Sequence, residues 1–172
     1  MIGSRQVHLW VPARLPGQNE LLAGRAHASR GWSEYNSTKQ RLAAQVILLA
    51  RVKGLSSIEP SFFTYLFVEP NRKRDPSNVA SGGIKILEDA FVKGGFLEND
   101  GWSHVLGIQA HWICEPNRAG CLVHWGAELL TKEAMLLLLE KERENGNFND
   151  RPGIARDESP RTRLAKAARR RA

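Results

Sequence analysis

The chain has little of what would place it outside ordinary globular proteins. It holds 2 cysteines in 172 residues, too few for a disulfide scaffold and in keeping with a reducing cytoplasm. No apolar run approaches the roughly 20 residues of a membrane-spanning helix, so no membrane partner is expected. The opening MIGSRQVHLWVPARLPG lacks the apolar stretch and small-residue cleavage site of a secretory signal. There is no internal repeat and no Cys/His array with long-range metal spacing. A chain of this length that is 42% hydrophobic fits one domain able to bury a core.

What is plentiful is positive charge, and it is unevenly placed. The formal net charge is +7. From Arg151 onward, Arg151, Arg156, Arg161, Arg163, Lys166, Arg169, Arg170 and Arg171 face only Asp157 and Glu158, so that segment carries +6 and residues 1–150 carry +1. A nearly neutral body with a basic end points to a polyanionic partner, most simply nucleic acid. The polar, Pro-containing composition beyond the last helix predicts disorder. The expected organisation is a domain over 1–146 and a basic tail over 147–172. Inside the body one basic run stands out, Arg72-Lys73-Arg74.

Pattern predicts a strand over 6–11 (QVHLWV), a Pro/Gly loop over 12–18, and a helix over 34–52 ended by Gly54. The aromatic and β-branched run SFFTYLFVE over 61–69 predicts a strand closed by Pro70. A helix opened by Asp75-Pro76 and stopped by Gly94-Gly95 follows. Strands over 104–114 and 120–125 are separated by a Pro116-Asn117 turn, and a periodic helix covers 128–145. The order β-α-β-α-β-β-α, with a hairpin near its end, favours an α+β domain on a mixed sheet packed by helices.

The segment NRKRDPSNVASGGIKILEDAFVKGGFLENDGW over 71–102 carries the chemistry. Asp75 falls at a helix N-cap and Pro76 at the first helical position. At about 100° per residue, Asn78, Gly82, Lys85 and Asp89 form one polar stripe, while Val79, Gly83, Ile86, Leu87 and Ala90 cluster on another. After the glycine stop the chain can fold back and bring Glu98 and Asp100 towards the same end. Carboxylates gathered this way suit Mg²⁺, which takes oxygen ligands and activates water for phosphodiester attack. A nearby lysine stabilises charge on the phosphate. The plain alternative is a cap at Asp75, an i,i+4 surface pair of Lys85 and Asp89, and a turn at Asp100.

This segment resembles the signature of the RusA family of Holliday-junction resolvases, especially its phage-borne members. That signature is a basic run, Asp-Pro-Asp-Asn, a helix containing Lys and Leu-Asp, then Gly, then Asp-Asp-Gly-Trp. The matching residues are Arg72-Lys73-Arg74, Asp75-Pro76-Ser77-Asn78, Lys85, Asp89, Gly95 and Asn99-Asp100-Gly101-Trp102, with no gap over 31 residues. Weaker similarity extends over about 7–109, through the 15–19 loop and the 35–39 region.

The resemblance implies a homodimeric nuclease of the bacterial cytoplasm, phage- or prophage-borne. It binds four-way DNA junctions and nicks them symmetrically with Mg²⁺ or Mn²⁺, without a nucleotide cofactor. Asp75 and Asp100 would hold the metal, Lys85 would assist at the phosphate, and Asn78, Asp89, Ser77 and Asn99 would support the site. Arg72, Lys73 and Arg74 would grip DNA phosphates. Ser77 and Asn99 stand where the family pattern carries Asp, which motivates a rival expectation: a junction-binding protein that has lost cleavage.

Three other features stand out. His111-x-x-Cys114 and Cys121-x-x-His124 suggest zinc, but residues three apart on a strand face opposite sides. A hairpin with Cys114 and Cys121 adjacent and reduced is expected instead. Trp102, Trp112 and Trp125 are candidates for stacking on unpaired bases, or for the core. The run from Met135 to Leu139 is broader than one helix stripe needs and can serve the core or a dimer interface.

Overall fold

A computed structural model describes residues 7–23 and 31–146. Along them run β1 (His8–Val11), α1 (Gln18–Ala23), α2 (Gly31–Val52), β2 (Ser61–Glu69), α3 (Pro76–Lys93), β3 (Val105–Cys114), β4 (Gly120–Gly126) and α4 (Lys132–Glu144). The strands make one mixed sheet in the order β1-β4-β2-β3, with β2 and β3 parallel and the other pairs antiparallel. The chain is therefore a single α+β domain. The expected basic tail over 147–172 and Gln6 of the first strand lie outside the described residues.

Seven of the nine β2 residues are buried, as a strand covered on both faces requires. Alternation divides them. Phe63, Tyr65 and Phe67 enter a core with Val46 and Ala50 of α2 and Ile86, Leu87 and Phe91 of α3. Leu66 and Val68 point the other way, to Trp10, Leu122, Met135 and Leu139. On the first face Phe63, Tyr65, Phe67 and Trp112 stack in a ladder with successive centroids 6.3 Å apart. Of the 135–139 run, Met135 and Leu139 are buried while Leu137 is exposed.

The expected hairpin of β3 and β4 is corrected. β2 lies between them: Cys114 pairs with Glu69 on one side of it, and Cys121 with Phe67 on the other. Two strand spacings of about 4.8 Å keep the two strands apart, and both thiols are free. The link over 115–119 crosses the end of β2, where Glu115 N–H donates to Glu69 O at 2.9 Å and Asn117 adopts φ 66°. His111 Nε2 lies 3.0 Å from Leu130 O, so it serves a loop contact.

Three helices also differ from the pattern, and α2 begins at Gly31, three residues before its expected start. α4 begins at Lys132, because Leu130 N–H donates to Thr64 Oγ1 at 2.9 Å and Thr131 caps the helix from Ala134 N–H. α1 begins at Gln18, the last residue of the predicted loop, and runs to Ala23 where the pattern predicts no element. Its first turn is held by half a capping box, with Glu20 Oε2 accepting from Gly17 N–H at 2.8 Å. Six residues are too few to show a helical period.

Candidate functional site

The residues of the α3 polar stripe take their partners from segments packed closely beside the helix. Gly82 makes the approach possible: a Cβ there would lie 2.7 Å from the Gly17 carbonyl carbon and closer still to Pro16 O. The loop before α1 thus lies on the helix. Asn78 Oδ1 then accepts from Asn19 N–H at 2.7 Å, satisfying an orphan donor of the α1 N-terminus. Asn78 orders the start of the neighbouring helix, not of its own.

At mid-helix the charged groups converge. The Lys85 ammonium donates to Asp100 and lies 2.8 Å from Asp89 Oδ1. Asp89 Oδ2 accepts from Lys39 Nζ of α2 at 2.8 Å. The Lys85–Asp89 pair is the i,i+4 surface pair of the plain alternative. Asp100, however, is also drawn onto it from fifteen residues away. The hydrogen bond to Asp100, then that to Asp89, raises the Lys85 pKa well above its usual value. Burial pushes the Asp89 carboxyl upward, but the hydrogen bonds from Lys39 and Lys85 outweigh it and hold its pKa down.

Asp75 is not part of this group. It occupies the N-cap position of α3 with extended backbone (φ −65°, ψ 127°), and its exposed side chain makes no capping hydrogen bond. Ten residues of helix separate it from Lys85, about 15 Å along the axis at 1.5 Å per residue. Joint chelation of one ion by Asp75 and Asp100 therefore differs from the pairing observed, in which Asp89 stands beside Asp100. Among the described residues no group of three or more His, Cys, Asp or Glu is gathered closely enough to hold a metal. Mg²⁺ binds through one or two carboxylates plus water and substrate phosphate, so Asp89 and Asp100 form a donor set for it only with the Lys85 ammonium withdrawn from between them.

Of the two residues that replace expected carboxylates, Asn99 serves the backbone with its side chain. Asn99 Oδ1 accepts from Gly101 N–H at 2.9 Å, closing the turn that presents Asp100. Ser77 is exposed and its carbonyl accepts from Ser81 Oγ at 2.6 Å. In the basic run, Arg72 and Lys73 are exposed. Arg74 is placed otherwise than a phosphate contact would be: its guanidinium binds Glu69, Leu15 O at 2.7 Å and Glu20 at 3.2 Å, tying the loop before α1 to the end of β2.

Two groups near the cluster carry no signal in the spacing. Glu88 is buried beneath it and accepts from Tyr65 Oη at 3.1 Å. Burial, with the charges of Asp100 and Asp89, pushes its pKa up to about 7 against the lowering by Tyr65 and Lys85. At about 100° per residue it falls outside the apolar stripe, and its burial arises because α3 leans on both α2 and the sheet. At the base of the 98–104 loop, His104 Nε2 lies 3.0 Å from Glu98 Oε2, and its Nδ1 2.9 Å from Ser103 Oγ. Glu98 and His104 also wall a cavity of about 630 Å³ with Ile58, Pro60, Phe96 and Leu97.

No protein-family model matches the chain, and no curated protein matches it. No helix among the described residues is long and apolar enough to cross a membrane.

Proposed function

We propose that the chain is a metal-dependent endonuclease of branched DNA, of the RusA type, acting as a homodimer in the cytoplasm of a bacterial or phage-infected cell. The observation that carries the reading is the meeting of the two halves of the motif: the Lys85 ammonium of the helix half holds Asp100 of the loop half beside Asp89. Such a set combines hard oxygen donors with a cation, the composition that phosphodiester hydrolysis calls for.

In this reading Asp100 and Asp89 hold a Mg²⁺ or Mn²⁺ ion, which when bound supplies an activated water and charge neutralisation. Lys85, released from the carboxylates, donates to a phosphate oxygen as charge builds there. Attack of water at phosphorus forms one P–O bond and breaks another, leaving a phosphate and a hydroxyl at the nick. Lys39 keeps Asp89 ionised and oriented. Arg72 and Lys73 grip the backbone without reading sequence, and two-fold symmetry matches two strands to be cut. Asp75, the ligand implied by the resemblance, is tied to the start of α3 through its carbonyl, which accepts from Val79 N–H at 3.0 Å, and is not a ligand of this ion.

The test is nicking of a synthetic four-way junction in Mg²⁺ and in Mn²⁺. Asp100→Asn and Asp89→Asn are expected to lower the rate at least a hundredfold, while Asp75→Asn is expected to lower it far less. Absence of nicking by the wild-type chain with either ion overturns the enzymatic reading. A second reading, junction binding without cleavage, is favoured by the Asn99 side chain serving the turn that presents Asp100. Tight junction binding with no nicking in either ion would establish it.

A further inference from the structure

The three tryptophans with a possible stacking role part company in the fold. Trp125 is 4% exposed and meets Phe91 edge-on, and Trp112 extends the aromatic ladder. Trp102 is 96% exposed. An aromatic side chain of this size dominates the energetics of whatever covers it. Here the fold leaves it in water.

The exposure is not that of a loose loop. Gly101 O accepts from both His104 N–H and Val105 N–H at 2.9 Å, and Gly101 N–H is closed by Asn99. Asp100 is bound to Lys85, and His104 is held between Glu98 and Ser103 while its carbonyl accepts from Ser61 N–H at 2.9 Å. Every neighbour of Trp102 is tied down, so the indole is presented at little further entropic cost on binding. Its chain neighbours Asn99, Asp100, Gly101 and Ser103 are small and polar. A single flat π-face rising from a polar loop fits a planar ligand with a polar edge better than an apolar groove.

We infer that Trp102 is a stacking platform for an unpaired or unstacked base next to the cleaved phosphate. This deepens the nuclease reading and rests on it. Only Gly101 separates Trp102 from Asp100, so their Cα atoms are at most about 7 Å apart, one or two base steps at about 3.4 Å each. A phosphate at Asp100 and Lys85 thus leaves a base of the same strand within reach of the indole. At a branch point, unlike in a duplex, such a base is available without the cost of breaking a stack.

The experiment measures junction and duplex affinity in Ca²⁺, to suppress turnover, for the wild type, Trp102→Ala, Trp102→Leu and Trp102→Phe. A four-way junction carrying 2-aminopurine at the crossover reports stacking directly. Base–aromatic stacking predicts a roughly 5- to 150-fold loss of junction affinity in Trp102→Ala and Trp102→Leu. Trp102→Phe should retain most of the affinity, duplex binding should barely change, and 2-aminopurine quenching should be lost with the ring. Unchanged junction affinity in Trp102→Ala, while the wild type binds, overturns the inference alone. So does a fall in dimer mass on light scattering with Trp102→Ala, which would make the indole a contact between copies. If the wild type binds no DNA, the nuclease reading falls and takes this one with it.

Discussion

Glu88 offers a quantitative check on the packing beneath the cluster. Its carboxyl is buried against Tyr65, and its pKa stands at about 7 against 4.5 for the free group. Below pH 4.5 the group is protonated in the folded and the unfolded chain alike, and its titration costs nothing. Between 4.5 and about 7 the unfolded chain releases the proton while the folded chain keeps it, so stability falls as pH rises. Above about 7 the loss is complete. At about 1.4 kcal/mol per pH unit, the ceiling is about 3 kcal/mol, of which about 2.5 is lost between pH 5 and pH 8.5.

Glu88→Gln removes the titration and keeps an oxygen to accept from Tyr65. Any cost of the new amide N–H₂ is the same at both pH values, so only the pH-dependent part reports on the carboxylate. Urea unfolding of both proteins at pH 5 and pH 8.5 should show the wild type losing about 2–3 kcal/mol more than the variant on going to the higher pH. An equal loss in the two proteins would show that Glu88 ionises freely and that its contact with Tyr65 is open to water.

Two substitutions test the supports of the site. Gly82→Ala gains about 1 kcal/mol of helix propensity, but its Cβ falls against the Pro16 and Gly17 backbone. Overpacking of about 1–3 kcal/mol should prevail, giving a lower urea midpoint; an unchanged or higher midpoint would mean that the α1 loop does not lie on α3. Thr64→Val conserves shape at a fully buried position while leaving Leu130 N–H without its acceptor. It should cost about 1–2 kcal/mol and release the 128–130 amides to faster hydrogen exchange, and unaltered exchange there would refute the anchor.

Short-range physics alone determined much of this protein. The nine residues of β2 and the bounds of α3, from Pro76 to the glycines after Lys93, follow from propensity, side-chain period and backbone stops acting over a few residues. The α+β class follows from their order, and the stripe of Asn78, Lys85 and Asp89 from the helical repeat. The tertiary structure decided which of these groups meet. Insertion of β2 between β3 and β4 separated Cys114 from Cys121, because a strand's neighbour is chosen by face complementarity rather than by chain adjacency. Packing of the α1 loop against Gly82 turned Asn78 into a cap for another helix and Arg74 into a brace. Folding of the loop after Gly95 put Asp100 on Lys85 rather than near Asp75, and left Glu88 covered and Trp102 bare. Periodicity records which way a side chain points from its own element; what stands opposite it depends on residues far along the chain, and only the closed fold brings those together.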